Sequence, residues 1–540
     1  MLRIKLLGMM AALALALAAV LVLASPYAPV IGPAQDIEAI WAIEDAREYT
    51  EQALVTRLEN HGVPLAYDAA ENTFYCTLGM ENGENWPDIH LTAPDARDVS
   101  LVFVDDYSYD WCADAIRDGY SYEVMAYTDT EYAYFNIVFT GLTQLCLDTA
   151  GGEISTDADT PVRVTMGAWG EAPLHASARI HLRGASALLF EKKNYKLEFT
   201  RERGGEEKKI QQNVPGFGRA DELVLLPCWH DETKMRDMLN WTLWNEIAAD
   251  TEPFGARKTG YAEVFLNGEY LGLYMMLEPV NVVKELGLAG ENRLLTDSVY
   301  RTAALNFSRD REYVRHPYRD NAGYELYYSP NAKAPFAGLD AYLELVQMES
   351  DEAFAARAME ILDVDSMLRQ HLFVQGCALA DNIFNNMYIW AQATQRGVMY
   401  RFAPWDLDLS WGLERESVGE EYQNWMYFPV SDRLMNLDAG GIRQKAYDMW
   451  QQMRATIFNE EAMQARLAEY TRLLGESGAL MRDAWRWGGE MSYPDPIELI
   501  SVTAMRWPLI DEAMETLIAA EGPVDFLTQT NYEVKGGALR

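Results

Sequence analysis

Short runs in which β-branched and aromatic residues alternate with polar ones dominate the first half of the chain. Ser100-Leu-Val-Phe-Val and Tyr132-Ala-Tyr-Phe-Asn-Ile-Val-Phe predict strands, and residues 162–166, 178–183 and 194–200 continue the pattern. Ahead of them, Ile40, Ile43, Ala46 and Leu54 fall at roughly helical spacing among acidic residues and predict a helix over 36–61. Met235, Met238, Leu239, Leu243 and Ile247 share one face of a predicted helix over 232–249. Two apolar runs, 261–266 and 270–277, flank Asn267-Gly268-Glu269, and Asn-Gly is the strongest short-range hairpin signal. The pattern then turns helical over 338–350, 351–361 and 364–380. A second hairpin follows, 387–390 with 399–402, and residues 431–521 are again largely helical.

This order predicts an α+β protein. Gly151-Gly152 and the polar stretch to Thr160 read as a linker. The expected organisation is an export segment at 1–25, a helix and small β-rich domain over 36–150, a central domain over 161–430, and a helical extension over 431–540.

Composition narrows the class. The 540 residues exceed a single small core and carry a formal net charge of −37. Such a chain repels nucleic acid and anionic membrane surfaces, and a solvated acidic exterior is the simplest reading. At the N-terminus, Arg3 and Lys5 precede an apolar run over 6–24, a secretory signal that is also just long enough to span a bilayer. Cleaved or kept as an anchor, it places the rest outside the cytoplasm. Of the 5 cysteines, none forms a Cys-x-x-Cys pair. One disulfide among Cys76, Cys112 and Cys146 is open to the chain, while Cys228 and Cys377 sit in apolar surroundings and read as buried thiols.

The sharpest chemistry lies at Asp381-Asn382-Ile383-Phe384-Asn385-Asn386. Phosphoryl transfer to a hydroxyl needs a carboxylate near the attacking oxygen and hard oxygen ligands for magnesium. Protein kinases supply both from an Asp and an Asn five residues apart on one loop, the spacing of Asp381 and Asn386. After the next hairpin comes Pro404-Trp405-Asp406-Leu407-Asp408, two alternating carboxylates suited to a divalent cation. The apolar Phe402, Trp405, Leu407, Leu409 and Trp411 around them argue against a plain surface turn.

These motifs resemble those of the CotH family of spore-coat-type, kinase-like proteins, and others match upstream in the same order. Arg183-Gly184-Ala185-Ser186 is similar to the family's Arg-Gly-x-Ser, and Lys192-Lys193-Asn194-Tyr195-Lys196-Leu197-Glu198 to its basic strand. Asp231 to Arg236 is similar to its helix start, and the 264–274 hairpin with Glu278 to its hairpin and hinge. The resemblance spans about 161–412. It implies a bilobal protein-kinase-like fold that binds ATP with Mg²⁺ or Mn²⁺ and phosphorylates a protein, such as a coat or envelope protein. It casts Asp381 as the catalytic Asp, Asn386 and Asp406 as metal ligands, and Asp408 as a supporting carboxylate. Lys193 and Lys196, on the third strand of the small lobe, are candidates for the phosphate-binding cation. They have opposite parity, so one faces the cleft, and Lys193 is the expected one. Arg183 and Arg236 are further candidates, Arg236 for phosphate or for an acid, and Glu278 falls at the hinge beside adenine.

The chain departs from ordinary kinases. No Gly-x-Gly-x-x-Gly precedes the basic strand, Gly167-Ala-Trp-Gly170 being a loose substitute. No His-Arg precedes Asp381, and no Phe-Gly follows Asp406. The 7 histidines form no zincin pair, and there is no Walker A motif or Gly-x-Ser-x-Gly elbow. Two other readings stay open: a non-catalytic surface protein on the same fold, and a carbohydrate-active enzyme using Asp406 and Asp408 among its 15 tryptophans.

Overall fold

The computed structural model describes residues 31–32, 35–80, 90–96, 98–104, 115–117, 119, 121–184, 186–249, 257–281, 297–302, 323–413, 423–489 and 494–527. The apolar N-terminal run and Cys112 lie outside the described residues. The chain is α+β. It parts into two compact units: Met1–Pro227, Gly260–Met276 and Arg472–Tyr493 make the first, and Cys228–Thr259, Leu277–Thr471 and Pro494–Arg540 the second.

The first unit carries two main sheets. One runs in the order Ala66–Asp68, Thr73–Thr77, Glu131–Thr140, Ser121–Tyr127, Ser100–Phe103. Its core holds Phe74, Tyr122, Val124, Phe135, Ile137 and Phe139. The other is barrel-like. Its order is Leu174–Arg183, Thr160–Gly167, Thr143–Asp148, Thr259–Leu266, Glu269–Leu277, Glu222–Leu226, Asn194–Arg203, and the last strand pairs back onto the first. Alternation explains it: in Asn194–Arg203 the residues Tyr195, Leu197 and Phe199 are buried, joining Leu145, Val164, Ile180, Val264 and Met276 in one interior. Closing the sheet also leaves fewer exposed strand edges. Asn267 and Gly268 both take the left-handed conformation (φ 53° and 79°), which a two-residue hairpin turn of this type requires.

Three expectations are corrected. The helix predicted over 36–61 is confined to Ile37–Asp45. The backbone beyond it finds partners elsewhere, Glu48–Tyr49 pairing in parallel with Glu131 and Tyr132. The stretch at Gly151-Gly152 is not a linker between domains but a connection inside the barrel. Thr143–Asp148 pairs antiparallel with Thr160–Gly167 and parallel with Thr259–Leu266, which buries Leu145 and Leu147. The C-terminal helical region does not stay together either, because residues Arg472–Tyr493 belong to the first unit. There the Ala479–Arg486 helix brings Asp483 Oδ1 to 2.5 Å from Lys192 Nζ and 2.9 Å from the Leu273 N–H, which it accepts. Gly272 makes this approach possible: a Cβ there would lie 2.1 Å from Asp483 Oδ1.

The second unit combines an antiparallel sheet, ordered Tyr324–Tyr328, Ser298–Thr302, Met387–Thr394, Gly397–Pro404, with the remaining long helices. Asp363 caps the Val364–Cys377 helix by accepting from the Ser366 N–H at 3.0 Å, and Ala378 ends it in the left-handed conformation. Trp411, Trp450 and Trp507 are fully buried around it. No disulfide joins Cys76, Cys146, Cys228 or Cys377 among the described residues. Cys228 and Cys377 are buried as expected, and burial pushes the Cys377 thiol well up.

Candidate active site in the second unit

The left-handed Ala378 turns the chain into the single helical turn Asp381–Phe384, and Asn386, also left-handed (φ 58°), launches the Met387–Thr394 strand. Asn is among the few residues that accept this conformation. The Asp381 carboxylate accepts from two amides, Asn385 Nδ2 on Oδ1 and Asn386 Nδ2 on Oδ2, each at 2.8 Å. With its donor spent on Asp381, the Asn386 amide offers its oxygen as a ligand. Asn382 is buried, and its Nδ2 donates at 2.8 Å to both the Asn386 and the Trp405 carbonyls. The Trp405 N–H donates in turn to the Asn386 carbonyl at 2.7 Å. The two motifs separated in sequence by a hairpin are therefore joined at their backbones.

Past Pro404, Asp406 is exposed and left-handed (φ 53°), Leu407 is buried, and Asp408 is half-buried. Leu407, between the two carboxylates, packs into the core. Asn240, buried on the Arg236–Ala248 helix, holds this segment: its Nδ2 donates at 2.7 Å to the Leu407 carbonyl and to Ser410 Oγ, and its Oδ1 accepts from Trp411 Nε1 at 2.9 Å. Burial holds the Asp408 carboxyl well above the usual carboxylate range, and the negative charges of Asp406, Asp237 and Asp381 raise it further. Four carboxylates thus share one neighbourhood, an arrangement that is costly until protons or a cation join it.

The oxygen-only donor set suits a hard divalent ion. Among the described residues no three His, Cys, Asp or Glu side chains already stand as a metal cluster. A cation here would draw on the Asn386 amide as well. The Asn382 Oδ1, buried without a hydrogen-bond partner, is a further unsatisfied acceptor in this loop.

The family model for CotH kinase protein matches residues 180–501. The chain belongs to the CotH kinase protein family. No curated protein matches it. The matched span includes every site residue described above, and the sheet built from residues 66–140 precedes it.

The remaining candidates divide between the two units of this CotH protein. In the second unit, Arg236 reaches acids: its guanidinium meets Asp231 Oδ1 at 2.6 Å and Glu498 Oε2 at 2.5 Å, and its Nε donates to the Ser410 carbonyl at 3.3 Å. Arg236 and a set of N–H and O–H donors keep Asp231 below its ordinary range despite its burial. Glu278 is half-buried, donates its N–H to the Lys258 carbonyl at 2.9 Å, and has its carboxylate 4.0 Å from Lys258 Nζ. In the first unit, Arg183 ends the Leu174–Arg183 strand opposite Asn194. Lys193 lies just before the Asn194–Arg203 strand, so the parity argument does not apply to it, and its Nζ donates to the Leu188 and Phe190 carbonyls. Lys196 is on the strand and pairs with Glu222 at 2.9 Å.

Three residues were not legible as site or support. Lys192 is the buried cation of the basic run, bonded to Asp483 and the Leu273 carbonyl and 4.6 Å from the Tyr274 ring. Asp237 and Asn240 lie on the helix whose apolar face predicted it. Their signal was only that polar residues interrupt that face one and four positions after Arg236.

Proposed function

We propose that this CotH protein is an ATP-dependent protein kinase of bilobal, kinase-like build that uses Mg²⁺ or Mn²⁺. It acts outside the cytoplasm, on a coat or envelope protein, its export resting on the apolar N-terminal run. The observation that carries the reading is the Asp381 carboxylate held by two amides on a loop joined through Asn382 to the Asp406 segment.

Asn386, Asp406 and Asp408 would hold the cation, which neutralises charge on the phosphates of ATP. Asp381 orients the acceptor hydroxyl and takes its proton on a carboxylate oxygen. Asn385 and Asn386 fix that carboxylate's direction, and Asn382 and Asn240 lock the two loops. Arg183, Lys193 and Lys196 are the first unit's candidates for the phosphates. The existing partners of Lys193 and Lys196 mean that either would exchange a contact to serve. Arg236 is a positioning residue, held by acids beside the Ser410 carbonyl, and Glu278 remains the adenine-side candidate.

The test is transfer of label from radiolabelled ATP, with Mg²⁺ or Mn²⁺, to the protein itself or an added acceptor. Wild type is expected to transfer label, and Asp381→Ala and Asp406→Ala to abolish it. A folded wild type that transfers none with either metal would return the protein to a binding or structural role.

A further inference from the structure

A cavity of about 240 Å³ lies wholly within the first unit. Its lining includes Asn60, His61, Tyr75, Thr77, Gln144 and Trp169. It encloses the Gly167–Gly170 turn that the kinase reading leaves unused. That turn is braced: the Glu171 N–H donates to the Ala168 carbonyl at 3.3 Å, and Glu171 Oε1 accepts from the Gly216 N–H at 3.0 Å. Trp169, at its tip, is 37% exposed.

Gln144 is the informative residue. It is 4% exposed, and its Oε1 accepts from the Ala66 N–H at 3.2 Å. That bond fixes the amide's orientation, since a flipped amide would set N–H against N–H. Its Nε2 has no acceptor among the described residues. A buried donor left unpaired is costly, and the usual remedy is a water or a ligand. Of the described residues lining the cavity, only Glu171 carries a fixed charge, and it is engaged with Gly216. An anion would therefore find no fixed counter-charge, and a cation only the Glu171 carboxylate already engaged with the Gly216 N–H. The walls near Val63, Leu65 and Tyr75 are apolar. An indole face, apolar walls and one buried amide donor together suit a neutral ring bearing a carbonyl and a methyl. The volume lies just below the usual range for ligand sites, about 300–1,000 Å³, and limits an occupant to one ring.

We propose that this cavity binds one ring of a neutral acetamido sugar. The apolar face of the pyranose stacks on Trp169, and the acetamide carbonyl accepts from Gln144 Nε2 with its methyl against the apolar wall. No bond is made or broken, and neither ATP nor metal takes part, so failure here is separable from failure of the kinase reading.

The probe is N-acetylglucosamine, titrated into the full chain by calorimetry without nucleotide or metal. Saturable binding is expected, with glucose weaker by roughly tenfold, the worth of one hydrogen bond in a buried site. Gln144→Glu keeps the acceptor for the Ala66 N–H but removes the donor, and should weaken binding by at least about tenfold. Trp169→Ala, at a partly exposed position, should do the same, while Trp485→Ala, at an exposed tryptophan outside the cavity lining, should leave binding intact. Absence of saturable binding by wild type, equal binding of glucose, or binding unaffected by Trp169→Ala would each overturn the proposal.

Discussion

Replacing Asn240 with Ala should unsettle the candidate site without touching any residue assigned to the chemistry. Asn240 is fully buried, and its amide serves three partners: the Leu407 carbonyl, Ser410 Oγ and Trp411 Nε1. The Ser410 hydroxyl can rotate toward another acceptor. The Leu407 carbonyl and the Trp411 indole cannot, and each is left unpaired in the interior. At about 1–3 kcal/mol for each orphaned group, the substitution should destabilise the second unit by about 2–6 kcal/mol. Urea unfolding followed by tryptophan fluorescence measures this directly. Because Leu407 lies between Asp406 and Asp408, label transfer should also fall at temperatures where the variant is still folded. Asn240→Asp makes a sharper companion, since it keeps the acceptor for Trp411, loses the donors, and adds a charge near Asp408. It should be at least as damaging as Ala. A loss of less than about 1 kcal/mol for Asn240→Ala, with transfer unchanged, would refute the claim that this amide holds the loop.

Asp406→Gly should separate stability from function. It relieves a left-handed φ of 53° and removes one of the charges raising Asp408, so the urea midpoint should rise by about 1 kcal/mol equivalent while metal-dependent transfer disappears. The buried His371 sets a pH dependence. Burial first, and then the charge of Arg506, depress its pKa to about 3, so the unfolded chain takes up a proton near pH 6.5 that the fold refuses. Stability contributed by neutral His371 is therefore lost as pH falls from about 6.5 toward about 3, by about 1.4 kcal/mol per pH unit. Asp432 beside it is shifted up by burial and acts in the opposite sense. His371→Gln should flatten the acid limb relative to wild type in unfolding measured across that range, and identical limbs would contradict this.

Strands and hairpins were readable because their signals are local. Alternation marks Asn194–Arg203, and Asn267-Gly268 supplies the left-handed turn that only a few residues accept. Pairings between distant segments were not readable. Nothing near Glu48 and Tyr49 announces a parallel partner at Glu131 and Tyr132, so a loosely helical spacing was extended too far. Gly151-Gly152 has the composition of a linker, and only the burial of Leu145 and Leu147 makes it a connection within the barrel. At the site, Asp381, Asn386, Asp406 and Asp408 stood out by spacing, since loops keep chemistry-bearing residues close in sequence. Asn240 and Asp237 did not, because a polar residue on a buried helix face looks like one on a solvated face until the loop it holds is known. Lys192 was passed over for its neighbours for a similar reason: its partner Asp483 lies 291 residues further along the chain.

The central claim is that the loops carrying Asn386, Asp406 and Asp408 hold a divalent cation for ATP. Manganese titration of the full chain, followed by electron paramagnetic resonance with and without ATP, tests it most directly. The account predicts saturable binding that tightens with ATP and weakens by at least about tenfold in Asp406→Ala and Asn386→Ala, with both variants still folded. Manganese bound equally well by wild type and both variants would contradict it.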